Sequence, residues 1–118
     1  MTKENRMERE LLERLYCEKL NRELGAYKAS MLEREKEEIY GAAYEINSVI
    51  SIYEFLMETA EGREGGFLEA MIVFPGLLLF LYQQWLGYED SHTEELTGCM
   101  EQELLKIFAS DKKEEQAA

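Results

Sequence analysis

The single histidine of this 118-residue chain, His92, is the first candidate for chemistry. A Ser–His or Cys–His relay would have to pass through it, because no other imidazole is present to take the proton of the nucleophile. His92 directly follows Ser91, a predicted helix N-cap, so it would sit on an exposed turn with no apolar wall to exclude water. Glu89 and His92 form the one E-x-x-H spacing, whereas di-iron bundles take such a pair from each of two helices. We therefore predict no catalytic residue, metal site or cofactor, and that the protein is not an enzyme.

The two cysteines, Cys17 and Cys99, are 82 positions apart, which excludes a C-x-x-C redox pair and a metal knuckle. We interpret both as reduced, buried thiols of a cytoplasmic protein. Residues 1–14 alternate Glu with Lys and Arg and lack the apolar core of a signal peptide, which favours the same location. Glycine-rich phosphate loops and the G-x-S-x-G nucleophile elbow are also missing from the sequence.

The longest apolar segment, residues 70–82, is 13 residues long and carries Pro75 and Gly76 in its middle. Because a helix needs about 20 apolar residues to cross a bilayer, we expect no membrane span here. The segment is better explained as a buried hairpin of short helices.

Aromatic residues raise the question of a platform on which nucleic-acid bases stack. Such platforms are lined by Lys and Arg, and this chain has no basic residue between Arg63 and Lys106. We therefore expect the main aromatic side chains to lie in the core or at its edge. They are Tyr40, Tyr44, Tyr53, Tyr82 and Trp85.

Residues 2–31 repeat apolar side chains at steps of three and four, which predicts one long amphipathic helix. Gly25 costs a helix about 1 kcal/mol relative to Ala. Ser30 with Glu33 matches a capping box, so a break between Gly25 and Ser30 is the alternative boundary.

A second helix is predicted from a regular spacing of four and three residues, which is typical of a seam between packed helices. A flanking stripe of Ala42, Val49 and Leu56 widens this seam and suggests a central position in the bundle. The predicted seam consists of Ile39, Ala43, Ile46, Ile50, Tyr53, Met57 and Ala60.

Three further helices complete the prediction. Residues 67–73 form a short helix or a turn that Pro75 stops, and Pro75 itself fits the first turn of a helix over residues 75–86 that ends at Gly87. Ser91 and Glu94 match a capping box that opens a last amphipathic helix. We predict an all-α bundle of four to five helices in one domain, residues 1–110, followed by a charged tail, residues 111–118, that frays.

The distribution of charge is the most informative feature of the sequence. With 13 basic and 25 acidic residues, the chain has a net charge of −12, which repels nucleic acid and anionic lipid. Residues 1–38 hold nine basic and ten acidic side chains, whereas residues 39–118 hold four and fifteen. Nearly all of the excess therefore lies in the later part, where carboxylates recur at helical spacing.

Three stretches of the chain resemble the bacterial family known as domain of unknown function 3848. They are residues 10–24 with an L-Y-x-E helix, residues 37–46 with E-E-I followed by A-Y-E, and residues 75–91 with P-x-x-L and L-Y-x-x-W-L. The resemblance implies a small helical protein of gut Firmicutes and their mobile elements. It implies no activity and no catalytic residues.

The acidic surface has two interpretations. One is a solvated face that keeps the protein soluble. The other is a binding protein that occupies a basic surface of a nucleic-acid-binding enzyme and inhibits it by mimicking nucleic acid, as anti-CRISPR proteins do. Under the second interpretation the partner-facing residues are Glu54, Glu58, Glu61, Glu89, Asp90, Glu94 and Glu95.

Two alternatives place the useful surface elsewhere. A homo-oligomeric assembly module, such as a homodimer, would pack the apolar segment 67–85 or the first helix against a second copy. A small-molecule pocket would have to form among Tyr44, Tyr53, Tyr82 and Trp85, where the sequence shows no convergent polar set.

Overall fold

The structure, a computed structural model, describes residues 3–87 and 96–117, with side chains for residues 6–87 and 96–111. Every regular element in these ranges is helical, which confirms the predicted all-α bundle. The elements are α1 (Lys3–Leu32), α2 (Lys36–Gly41), α3 (Ala43–Thr59), a 3-10 turn (Ala60–Gly62), α4 (Gly65–Val73), α5 (Leu77–Leu86) and α6 (Leu96–Ala117).

Helix α1 sets the long dimension of the molecule. Its 30 residues span about 45 Å, and the molecule measures 53 × 29 × 29 Å. The helix continues through Gly25 and Ser30, so the alternative boundary between these residues is wrong. Packing explains the continuity, because Leu20 and Met31 are buried on either side of Gly25 and hold both halves of the helix on the bundle.

The second predicted helix is divided in two. Helix α2 ends at Gly41, and Ala42 adopts φ −94° and ψ 13°, outside the helical region, before α3 begins at Ala43. This division is why the bundle has six α-helices in its described part.

The predicted seam of α3 is wrong for most of its length. The buried face carries Val49, Ile52 and Leu56, whereas Ile50 is 39% exposed. Helices α1, α5 and α6 all pack against α3 and together cover the stripe that the sequence had suggested only as a flank. Ala60 is the one seam residue that is fully buried.

A sharp corner joins α4 to α5. The two helices meet at 88°, and Gly76 between them has a left-handed backbone (φ 63°), which an L side chain rarely adopts. Helix α5 therefore begins at Leu77 and not at Pro75 as predicted, while its predicted end at Gly87 is confirmed. No single helix in the described ranges is long and apolar enough to cross a membrane; only the bent α4–α5 pair reaches the necessary length and composition together.

The first turn of α5 is capped by a side chain from α1. The carboxylate of Glu23 accepts a hydrogen bond from the backbone N–H of Leu78 at 2.8 Å, which satisfies one of the free donors at the start of the helix. Lys19, itself almost buried, donates to the other oxygen of Glu23. A salt bridge on α1 thus fixes the position of α5.

The core is shared by five of the helices. Phe67 of α4 meets Phe108 of α6 edge to face, with ring centroids 5.7 Å apart. The last helix continues to Ala117, through most of the segment expected to fray, and its fraying in solution stays a prediction. The largest fully buried side chains are Tyr16, Leu20, Ile52, Leu56, Leu68, Met71, Leu77, Leu78, Leu81, Met100, Leu104 and Val49.

Candidate functional site

Glu54, Glu58 and Glu61 form an exposed acidic row on α3 and the 3-10 turn that follows it. They succeed one another at about one helical turn, or 5.4 Å along the axis. None of the three carboxylates forms an ion pair with a described basic side chain. The row is therefore available to a partner.

The structure divides this row between two surfaces. Glu58 and Glu61 border a shallow depression together with Glu101 of α6. Glu54, one turn earlier, lies instead at the edge of an apolar groove between α1 and α3. The three residues are neighbours along the chain, but Glu54 borders a different surface from Glu58 and Glu61.

Arg9 of α1 closes the end of the bundle near Glu61. Its guanidinium donates to the backbone carbonyl of Glu61 and, at 2.9 Å, to that of Arg63. It also donates to the Glu13 carboxylate at 3.1 Å. These bonds satisfy carbonyls at the end of the 3-10 turn and engage the arginine with groups of its own chain.

Arg63 is likewise engaged inside the molecule. Its two terminal nitrogens donate to the two oxygens of Glu101, each at 2.6 Å, and its guanidinium lies 4.6 Å from the centroid of the Phe67 ring. The bidentate hydrogen bond from Arg63 lowers the pKa of Glu101 below its usual range and raises that of the arginine. The one basic residue between α2 and α6 therefore offsets Glu101, while the exposed carboxylates of Glu58, Glu61, Glu64 and Glu69 form no ion pair with a described basic side chain.

The glycine-rich turn after α3 brings further acidic residues to the same end of the bundle. Glu64 and Glu69 are exposed and share a depression with Glu8 of α1, beside Arg9 and Arg63. We call the exposed set Glu8, Glu58, Glu61, Glu64 and Glu69 the acidic corner. The sequence counted Glu64 and Glu69 in its charge excess without selecting them as partner-facing, and it gave no reason to select Glu8, which belongs to a nearly neutral segment.

The remaining predicted site residues lie outside the described ranges. They are Glu89, Asp90, Glu94 and Glu95, together with His92 and the capping pair Ser91 and Glu94.

The cysteines are free thiols in the structure. Cys99 is buried and Cys17 is partly buried, where desolvation raises the pKa of the Cys17 thiol. Among the described residues, no group of three or more His, Cys, Asp or Glu side chains is arranged to hold a metal ion.

The aromatic side chains do not converge on one pocket. The indole N–H of Trp85 donates to the Tyr44 hydroxyl at 3.0 Å, whereas the Tyr53 hydroxyl donates to Asn21 on another side of α3. Tyr82 and Trp85 are buried as predicted. Tyr44 is 57% exposed and Tyr40 88%, so the prediction that these two lie in the core or at its edge is wrong. Tyr40 stands on the short helix α2, which has no buried residue.

Most of the apolar side chains of α5 are buried in the core. Leu77, Leu78 and Leu81 are fully buried, which leaves Leu79 and Leu86 as the half-exposed apolar residues of this helix. Within the segment 67–85, the exposed large apolar residues are Leu79 of α5 and Val73 at the end of α4, and assembly through this segment stays a prediction.

A second candidate surface is an apolar groove of about 390 Å³ between the C-terminal half of α1 and the helices α2 and α3. Tyr27, which lines this groove, donates a hydrogen bond of 2.7 Å from its hydroxyl to Glu45. Burial, reinforced by this bond, raises the pKa of Tyr27. We call this surface the α1–α3 groove; it is lined by Leu24, Tyr27, Lys28, Met31, Leu32, Ile39, Ile46, Ile50, Tyr53 and Glu54.

Comparison with protein-family models, with curated proteins and with solved structures gives no match to this chain. The resemblance to domain of unknown function 3848 therefore stays a prediction.

Proposed function

We propose that this protein is a non-catalytic binding module that occupies a basic surface of another protein, in its most concrete form a nucleic-acid-binding enzyme that it inhibits. The observation that carries the proposal is the acidic corner, where five exposed carboxylates surround two arginines that are already bound to groups of their own chain. A basic partner would supply the missing counter-charges.

A row of fixed carboxylates suits a mimic of nucleic acid. Glu58 and Glu61 present negative charges about one turn apart at the end of α3 and in the 3-10 turn, and each strand of a duplex presents a row of phosphates along its axis. An array of this kind speeds association with a basic channel and selects against acidic partners. It requires no catalytic group.

The proposed interface has two parts. Glu58 and Glu61 would face the partner from the end of α3 and the 3-10 turn, as exposed carboxylates without a described ion pair, whereas Glu54 borders the α1–α3 groove and lies apart from them. The acidic residues of the segment between α5 and α6 would add to it. These are Glu89, Asp90, Glu94 and Glu95.

The decisive experiment compares two charge-reversal variants with equal change in net charge. The test variant carries Glu58→Lys, Glu61→Lys and Glu69→Lys in the acidic corner. The control carries Glu33→Lys, Glu35→Lys and Glu38→Lys, which are also exposed and lie at or beyond the far end of α1; Glu33 is 24 residues, or about 36 Å, along the helix axis from Arg9. Each tagged protein is used to capture partners from a nuclease-treated bacterial lysate.

We expect the wild type and the control to capture nucleic-acid-binding proteins, and a short DNA duplex to release them by competition. The acidic-corner variant should lose this capture. Purified captured enzyme then serves in an activity assay, in which the wild type inhibits and the acidic-corner variant does not. Equal capture by both variants, or partners that DNA does not displace, would contradict the proposal.

A further inference from the structure

The α1–α3 groove has the residue pattern of a helix-packing seam but is covered on one side only. Ile39, Ile46, Ile50 and Tyr53 follow the spacing of four and three that places side chains against a neighbouring helix. Helix α1 contributes Met31 to the floor, where it is 5% exposed, yet Ile50 remains 39% exposed and the nearby Leu32 65%. The outer side of the seam is open in the described part of the chain.

The two walls of the groove carry opposite charges at different positions along the axis of α1. Lys28 stands on the α1 wall and Glu54 on the α3 wall. The hydrogen bond between Tyr53 and Asn21 places Glu54, the next residue of α3, near the level of Asn21 on α1. Lys28 follows Asn21 by seven residues and therefore lies about 10 Å farther along the axis of α1. The groove is therefore positive toward one end and negative toward the other.

This arrangement is self-complementary. In a two-fold interface, residue i of one copy contacts residue j of the other and the reverse also holds. Two grooves packed with their axes antiparallel would bring Lys28 of each copy opposite Glu54 of the other, while the exposed Ile50 and Leu32 side chains leave water. The α1 wall belongs to residues 1–38, whose net charge is only −1, so two copies can approach there despite the −12 of the whole chain.

We infer that the α1–α3 groove is a docking site for a second copy of this chain, which forms a two-fold dimer. The dimer leaves the acidic corner of each copy at the distal end of α1, free for a partner. The inference does not depend on the proposed function, because it is measured by the oligomeric state of the purified protein alone.

Analytical ultracentrifugation from about 1 to 300 µM tests the dimer directly. We expect a concentration-dependent shift from monomer to dimer for the wild type and monomer throughout for Ile50→Lys and for Leu32→Glu. Both side chains are partly exposed in the single copy, so thermal unfolding monitored by circular dichroism should show that these variants keep the fold. A wild type that stays monomeric over the whole range overturns the inference.

A matched control separates this face from α5. Leu79→Glu and Leu86→Glu replace leucines of similar exposure on α5 and should leave the dimer intact. If these two variants dissociate it and Ile50→Lys does not, the second copy docks on α5 and the inference is wrong.

The charge register gives a sharper test. Lys28→Glu and Glu54→Lys each occur twice in a symmetric dimer and should weaken it about fivefold, since two exposed ion pairs contribute about 0.5 kcal/mol each. The double variant exchanges the signs and should restore the wild-type affinity. Failure of the double variant to recover overturns the antiparallel register.

Discussion

The two ends of the α1–α3 pair are built from different interactions. At the acidic corner, Arg9 and Arg63 join the helices through charged hydrogen bonds to carbonyls and to Glu101. At the α1–α3 groove, Met31 and Ile46 line one apolar surface, part of which remains uncovered. One end thus presents charge and the other presents hydrophobic area.

The difference shows how a small bundle can carry two surfaces without either disturbing the core. Charged groups at the corner are satisfied internally where they are buried and left open where they are exposed, which suits a transient, salt-sensitive contact. Apolar area at the groove depends little on salt and suits a partner of matching shape. We therefore expect salt concentration and pH to change binding at the acidic corner, and changes in side-chain size to change binding at the α1–α3 groove.

The largest expected effect distinguishes the core face of α3 from its groove face. Leu56→Ala should lower the free energy of unfolding by about 3 kcal/mol, because it leaves a cavity at a fully buried position. Ile50→Ala, on the groove face, should cost less than about 1 kcal/mol in the monomer. Urea denaturation at low protein concentration measures both, and equal losses would show that Ile50 belongs to the core.

Arg63→Ala should cost about 2 kcal/mol, because it removes the bidentate bond to Glu101 and the contact with the Phe67 ring together. Arg63→Lys keeps the charge but not the planar pair of donors, so it should recover only about half of the loss. Denaturation curves of the two variants give the comparison. A lysine variant as stable as the wild type would mean that charge alone holds the corner.

Glu23→Ala should cost about 1 kcal/mol through loss of the cap on α5. Glu18→Ala, an exposed position on the same helix, is the matched control and should change stability by less than about 0.5 kcal/mol. Thermal unfolding of both variants tests this. If the two losses are the same, the bond between α1 and α5 contributes nothing to stability.

The smallest effect is a pH dependence at the acidic corner. Because Arg63 lowers the pKa of Glu101 in the folded state, the pair stabilises the protein fully above the unfolded pKa of about 4.5 and loses this contribution as the pH falls through the lower folded value. Glu101→Gln should flatten that part of the stability profile. The Glu101 side chain is 38% exposed, so the change should be small, and an unaltered profile below pH 4.5 would contradict it.

The sequence predicted the helical class, the stop before Pro75 and the end of α5 at Gly87, because glycine, proline and apolar periodicity act locally; it left a helix or a turn open for residues 67–73. The sequence did not predict correctly which face of α3 is buried in the core. Ile46 and Ile50 lie one stripe away from Val49 and Ile52, and both stripes have helical spacing, so only the positions of α1, α5 and α6 decide which is buried.

The candidate surfaces were predictable to different degrees. The exposure of Glu54, Glu58 and Glu61 follows from charge alone. The grouping of Glu8 with Glu69 does not, because it depends on the glycine turn that folds α4 back beside the start of α1. The α1–α3 groove was not predicted either, because the sequence assigned Ile39, Ile46, Ile50 and Tyr53 to a seam between packed helices of the bundle.

The cap that Glu23 provides for α5 has a consequence for how the chain folds. The donor and the acceptor are 55 residues apart, so the first turn of α5 gains this bond only after α1 has docked. Local openings of α5 that leave α1 in place would still protect the amide hydrogen of Leu78 from exchange with solvent. The exchange rate of that single amide should therefore follow the global opening of the molecule and report whether the two halves of the chain unfold as one cooperative unit.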